Sequence, residues 1–323
     1  MALALALLVV YLGWVGYQGS LLFAANDRAG DCRTPTSAFG WSYEAINYEI
    51  SSDGDLESFT DRLACPNQGQ AAGEDLRTGD GVRIAGWYIP ADNQAGPTAP
   101  TVVLAHAEGA NKSEMLAWAS PLHAAYNLVL FDFRNHGQSS GEVTTMGVRE
   151  AADLRTVLDW LVEAKRPSSI AVLGVSMGGA AAINEAITDL RVAAVILDST
   201  HATLANALGA RLDRDGYPLS IPGAWSILLG GLLRTGEDMS SADPVQAIGR
   251  YGQRPVLIIA AGQDRAIGPN DAADLLAAAR EDGASTEMDT CADAGHAGSI
   301  STCSAEYAGW LLTFLGRALP QAP

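Results

Sequence analysis

Positive charge is scarce in this chain. Its 323 residues carry 20 Lys and Arg against 37 Asp and Glu, a net charge of −17 with an isoelectric point near 4.5. Lysine occurs only at Lys112 and Lys165. This argues against a nucleic-acid partner, because holding phosphates requires a basic surface. Charge of either sign is low at 18%, while hydrophobic residues reach 48%, so the chain is not a disordered one. Histidine (five) and cysteine (four) are few, and no cluster has metal-ligand spacing. Neither a metal nor an organic cofactor is expected. No internal repeat or low-complexity tract is visible. The length suits one large α/β domain with additions.

The longest absence of charge is at the amino terminus, where Met1 to Asn26 carries no ionisable acid or base other than its own α-amino group and tyrosines. A run of more than about 20 such residues can cross a bilayer as a helix. A cleaved signal peptide normally has a basic first region and a short apolar core. Here the basic region is missing, the run is long, and Tyr11, Trp14 and Tyr17 suit a membrane interface. Residues 1–26 are therefore expected to be a transmembrane anchor rather than a cleaved signal. A buried core helix fits less well, since no polar face is marked.

Four cysteines permit three pairings. The locally closed one, Cys32–Cys65 with Cys291–Cys303, fits two separate regions and an oxidising compartment; four buried thiols are the alternative. Paired cysteines would place the globular part outside the cytoplasm, tethered by its anchor.

Residues 27–75 mix Gly, Ser, Asp and Asn with the aromatics Phe39, Trp41, Tyr43 and Tyr48 and show no strong period. They read as a juxtamembrane segment packed on the body through those rings. Residues 76–320 then alternate. Strands are expected over 82–89, 101–105, 126–133, 170–173, 192–197, 255–260 and 285–289. Helices are expected over 113–123, 148–164, 177–188, 270–281 and 305–318. Apolar strands alternating with helices indicate a mostly parallel, doubly wound α/β sheet, with ligands beyond the carboxyl ends of its strands. The pattern breaks over about 199–242, an apolar helical insert that reads either as a lid over a substrate pocket or as ordinary packing. Beside an upstream anchor, it also has the composition to touch a membrane.

Gly174-Val175-Ser176-Met177-Gly178-Gly179 sits where the strand ending at Leu173 meets a small-residue helix. A serine at the apex of such a turn is held in strained backbone, and Gly174 and Gly178 omit side chains that would clash. The Met177 N–H, at the helix start, can face a developing oxyanion. The pentapeptide alone fits a glycine-rich turn with an incidental serine equally well. A serine nucleophile needs a base and an orienting acid. Past the last strand comes His296, in Ala294-Gly295-His296-Ala297-Gly298; past the strand at 255–260 comes Asp264, in Gly262-Gln263-Asp264-Arg265. Asp198, in Leu197-Asp198-Ser199-Thr200, also ends a strand and is the second candidate acid. His106 and His136 read as structural histidines in loops.

From about residue 75 to 318 the chain resembles the α/β-hydrolase superfamily, nearer its peptidase-like and carboxylesterase-like members than its lipases. The elbow at Ser176 carries the resemblance, with Leu104-Ala105-His106-Ala107-Glu108-Gly109 similar to the oxyanion segment and Phe131-Asp132-Phe133-Arg134-Asn135-His136-Gly137-Gln138-Ser139 similar to the Asp-x-Arg-Gly loop. The resemblance implies that the Glu108 and Met177 amides form the oxyanion hole, and it favours Asp264, whose loop has the family's Gly-x-Asp form, over Asp198. Two departures stand out: Ala107 where glycine is usual, and Asn135 where Arg-Gly is usual. The implied activity is cleavage of an ester, thioester or amide of a small or lipid-like acyl substrate through an acyl-enzyme, without cofactor. An acyltransferase on the same fold, or an inactive membrane-tethered binding protein, are the alternatives. A disulfide between Cys291 and Cys303 would pin the loop bearing His296.

Overall fold

The computed structural model describes residues 2–25, 31–46, 76–93 and 96–319. Eight strands form one sheet: β1 (Glu44–Ile46), β2 (Ala85–Ile89), β3 (Thr101–Ala105), β4 (Asn127–Asp132), β5 (Ile170–Val175), β6 (Val192–Asp198), β7 (Val256–Ala261) and β8 (Thr286–Cys291). Their spatial order is β1-β2-β4-β3-β5-β6-β7-β8, antiparallel across β1-β2 and β2-β4 and parallel from β4 onward. The helices are α1 (Ala2–Ser20), α2 (Pro35–Phe39), α3 (Leu116–Ala119), α4 (Val148–Ala164), α5 (Met177–Ala186), α6 (Leu204–Arg214), α7 (Ser220–Thr235), α8 (Pro244–Ile248), α9 (Asp271–Glu281), α10 (Ser299–Thr302) and α11 (Ser304–Ala318).

The central strands are buried on both faces, which is why they read as continuous apolar runs. Their alternate residues serve two separate cores. Val103, Val172 and Val195 enter a cluster that includes residues of α4, α5 and α9, whereas Leu104, Leu173 and Ile196 enter one that includes residues of α3 and α11. A single-residue slip in any strand would exchange these sets, so packing sets the register.

Two expected elements differ. The helix foreseen over 113–123 is α-helical only at Leu116–Ala119, with turns on either side, because the Ser113 amide is captured by the Asn111 side chain and the segment is bent to carry Lys112 inward. The juxtamembrane segment contributes a strand, β1, that its short unpatterned sequence does not announce; β1 exists by pairing with β2. Around it Trp41 stacks on His123 with centroids 3.9 Å apart, and Tyr43 meets Trp87 edge-on. The remainder of that segment, 27–30 and 47–75, with Tyr48 and Cys65, lies outside the described residues.

α1 is not a free tether. Its first nine residues are exposed, but Val15, Gly16 and Ser20 are buried against α7. Phe23, just after it, is fully buried. The Asn135 side chain then donates to the Ala25 carbonyl at 2.6 Å and to Thr144 Oγ1 at 3.2 Å. Asn135 has φ 62°, a left-handed conformation that asparagine tolerates better than most residues. Where the family pattern has glycine, asparagine keeps the conformation and gains a clasp on the amino-terminal segment.

Candidate active site

Ser176 stands between β5 and α5 with φ 53° and ψ −114°, a conformation unfavourable for a residue with a Cβ. Its amide donates to the Asp198 carbonyl at 2.8 Å, which holds the turn against β6. Close approach leaves no alternative to the flanking glycines. A Cβ on Gly174 would lie 2.3 Å from the Gly178 carbonyl oxygen, and one on Gly178 would lie 2.2 Å from the Ala105 carbonyl oxygen.

His296, in the loop after β8, places Nε2 2.9 Å from Ser176 Oγ, and its Nδ1 lies 2.7 Å from Asp264 Oδ2. A carboxylate only accepts, so in neutral His296 the proton sits on Nδ1 and Nε2 accepts from the serine hydroxyl. The other Asp264 oxygen accepts from the Ala266 amide at 2.8 Å, fixing the carboxylate plane. The acid loop and the histidine loop are stitched together: Gly262 N donates to Cys291 O, and Gln263 N donates to Ala294 O, both at 2.8 Å. A Cβ at Gly262 would sit 2.4 Å from the Ala292 carbonyl oxygen, which explains the glycine of the Gly-x-Asp form. A disulfide joins Cys291 to Cys303 across the loop that carries His296. The other expected bridge involves Cys65, outside the described residues.

Asp198 does not touch His296. Its carboxylate is buried and accepts from Trp118 Nε1 at 3.1 Å, Tyr307 Oη at 2.7 Å and Ser199 Oγ at 2.9 Å. Burial pushes its pKa up, and the three donors oppose that push. Ser199 Oγ in turn accepts from the Ala297 amide at 3.1 Å. Asp198 thus organises the end of β6, with the Ser176 amide on its carbonyl and the residue after His296 held by its neighbour.

The Met177 amide at the first turn of α5 and the Glu108 amide after β3 engage no protein acceptor among the described residues. Two histidines brace the Glu108 loop. His106 Nε2 accepts from the Phe133 amide at 3.0 Å while its Nδ1 donates to the Ala107 carbonyl at 2.7 Å, a neutral ring whose pKa burial pushes down to about 3. His136 accepts from the Gly109 amide at 3.3 Å and donates to the Arg134 carbonyl at 2.8 Å. The Ala107 methyl packs against the core on the α3 and α11 side of the sheet.

Ion pairs absent from the sequence reading stiffen the same loops. Buried Lys112 holds Asp132 at 2.5 Å, and Arg134 bridges Asp153 and Asp80 at 2.7 and 2.9 Å. Lysine being so rare, its presence at position 112, soon after the β3 segment, was the available signal. From the insert, Arg211 on α6 reaches Glu108 at 3.6 Å and donates to the Ala266 carbonyl at 3.4 Å, so α6 spans the loops after β3 and β7. Nearby His201 is buried and kept neutral, its pKa lowered to about 3 chiefly by desolvation. No group of three or more His, Cys, Asp or Glu among the described residues could hold a metal ion.

A doubly wound sheet with a serine elbow after its central strand, and a Ser–His–Asp hydrogen-bonded line along its carboxyl edge, defines an α/β-hydrolase. A family model described as the alpha/beta hydrolase fold matches residues 100–251, and the chain belongs to that family. An uncharacterized protein of Mycobacterium tuberculosis is 31% identical over 248 residues, 75% of this chain and 78% of that one. The protein bem46 of Schizosaccharomyces pombe is 28% identical over 200 residues, 60% of this chain and 61% of its own. Among solved structures, an esterase of Pyrococcus furiosus superposes with a TM-score of 0.67 at 20% identity, covering 90% of this chain and 98% of that one. An esterase of Exiguobacterium antarcticum gives a TM-score of 0.55 at 18% identity over 74% and 98% of the two chains. Both likenesses are of fold.

Proposed function

We propose that the protein is a serine hydrolase that cleaves an ester, thioester or amide through an acyl-enzyme. The observation that carries this reading is the hydrogen-bonded line Ser176 Oγ–His296 Nε2 at 2.9 Å and His296 Nδ1–Asp264 Oδ2 at 2.7 Å. In this reading His296 takes the hydroxyl proton as Ser176 attacks the acyl carbon, and it returns that proton to the leaving group. Asp264 holds the imidazole in the required tautomer and stabilises the imidazolium. The Met177 and Glu108 amides receive the oxyanion, each worth roughly 3 kcal/mol in comparable acyl transfers. Water then attacks the acyl-enzyme with His296 as base, releasing the acid and free Ser176. A small or lipid-like acyl compound is the substrate class this reading carries forward from the sequence resemblance.

Labelling with a fluorophosphonate tests the reading. The parent protein is expected to label, and Ser176→Ala and His296→Ala are expected to abolish labelling while leaving the fold intact by circular dichroism. A folded parent that fails to label would leave the inactive binding protein as the better reading.

A further inference from the structure

Helix α7 carries an apolar stripe that is exposed among the described residues. Ile221, Trp225, Leu229, Leu232 and Leu233 recur at helical spacing and are 52, 54, 57, 39 and 79% exposed. Over its 16 residues α7 has one charged side chain, Arg234, in the last turn. The opposite side of the helix is committed to the body through Ala224, Ile227 and Leu228.

A third side of α7 is bound to α1, and this contact is intimate. The two helices run in the same direction. Tyr11 Oη donates to Pro218 O at 2.6 Å, Ser226 Oγ donates to Leu12 O at 2.5 Å, and Arg234 Nε donates to Ser20 Oγ at 3.2 Å. Small residues let the backbones meet: a Cβ on Gly16 would lie 2.6 Å from the Ser226 carbonyl oxygen, and one on Gly230 would lie 2.5 Å from the Gly16 carbonyl oxygen. Small-residue contacts of this kind, with hydrogen bonds across the helices, are typical of packing in lipid.

Length decides the consequence. α1 with its 3₁₀ extension is a candidate membrane span, Ala2–Ala24; among the described residues Ala2–Val10 are exposed without interruption, and from Tyr11 onward the helix packs on α7 through one side. Nine helical residues rise about 14 Å, roughly half of a hydrocarbon core near 30 Å. Any deeper insertion of α1 carries α7 with it. The exposed Trp14 and Tyr17 of α1, with Tyr217 and Trp225 at the near end of α7, supply the aromatic residues found at membrane interfaces.

We propose that the exposed apolar stripe of α7 is a second membrane-contact surface, continuous with α1, and that its occupant is the lipid bilayer itself. Apolar burial rather than charge holds it, because the body carries a net charge of −17 and the stripe is uncharged. The helical insert is thereby fixed to the bilayer surface.

The test uses full-length protein with phosphatidylcholine vesicles. An environment-sensitive fluorophore is placed on Leu5→Cys, on Leu229→Cys, or on Leu312→Cys, whose site is exposed on α11 across the sheet, with the parent protein as labelling blank. Leu5 and Leu229 probes are expected to shift to the blue and to be quenched by spin-labelled lipid, and the Leu312 probe to do neither. Replacing Trp225, Leu229 and Leu233 together by Gln is expected to weaken vesicle partitioning by about tenfold or more, with little change on adding salt. A Leu229 probe that stays in water while the Leu5 probe is quenched would overturn the proposal, leaving α1 as the sole tether. A Leu229 probe already shielded without vesicles, in a particle of twice the mass, would overturn it in favour of a second copy. Ser176→Ala should partition like the parent, so the outcome is independent of the hydrolase reading.

Discussion

Two aspartates at strand ends were candidates for one role, and their surroundings separate them. Asp264 meets His296 directly, while the Asp198 carboxylate is occupied by Trp118, Tyr307 and Ser199. Asp264→Asn offers Nδ1 a donor as readily as an acceptor and disturbs the tautomer, so kcat is expected to fall by roughly 10⁴-fold with little loss of stability. Asp198→Asn places an amide among three donors. It is expected to cost about 1–3 kcal/mol in denaturant unfolding and to lower kcat far less than Asp264→Asn does. Equal effects of the two substitutions on kcat would contradict the assignment. The order Ser176, Asp264, His296 was legible because each residue follows a strand; the occupation of Asp198 was not, since two of its three partners come from residues 80 and 109 positions away.

At the scale of elements, the loop from β8 to α11 bears His296 and is closed by the Cys291–Cys303 bridge, whose ends are 12 residues apart. Opening a closed loop of that size costs about 3 kcal/mol in the chain-entropy account. Cys303→Ser is expected to lower stability by about that amount and also to lower kcat, because His296 must hold its place between Ser176 and Asp264. Thermal unfolding and ester hydrolysis measured side by side check both effects; unchanged kcat would show that the backbone bonds from Gly262 and Gln263 suffice. Strands and long helices were readable from hydrophobic pattern, and α4 spans Val148–Ala164 as expected. β1 was not readable, because pairing with β2 creates it, and the helix expected over 113–123 was readable only in part, because side-chain capture shortens it to α3.

For the whole molecule, burial of neutral histidine couples folding to pH. His106 and His201 both have pKa values lowered to about 3 in the folded protein, against 6.5 ordinarily. Below pH 6.5 the unfolded chain takes up protons that the folded chain refuses, so each histidine costs stability as pH falls, until the folded-state pKa is reached. The maximum slope is about 1.4 kcal/mol per pH unit for each group. His201→Gln removes one such group. Its unfolding free energy is expected to fall less steeply than the parent's between pH 6.5 and about pH 4, as read from urea midpoints. Parallel curves would show that His201 is not held neutral.

The amino-acid sequence by itself determined the α/β alternation, the serine elbow and the charge-free amino terminus, because each rests on local pattern: strand period, glycine where chains touch, and an unbroken apolar run. Tertiary structure alone decided what occupies the Asp198 carboxylate, how Lys112 and Arg134 lock the loops beneath the site, and that α1 lies against α7 rather than standing apart. Those outcomes depend on distances between residues far apart in the chain, set when the sheet closes and the helices pack on it.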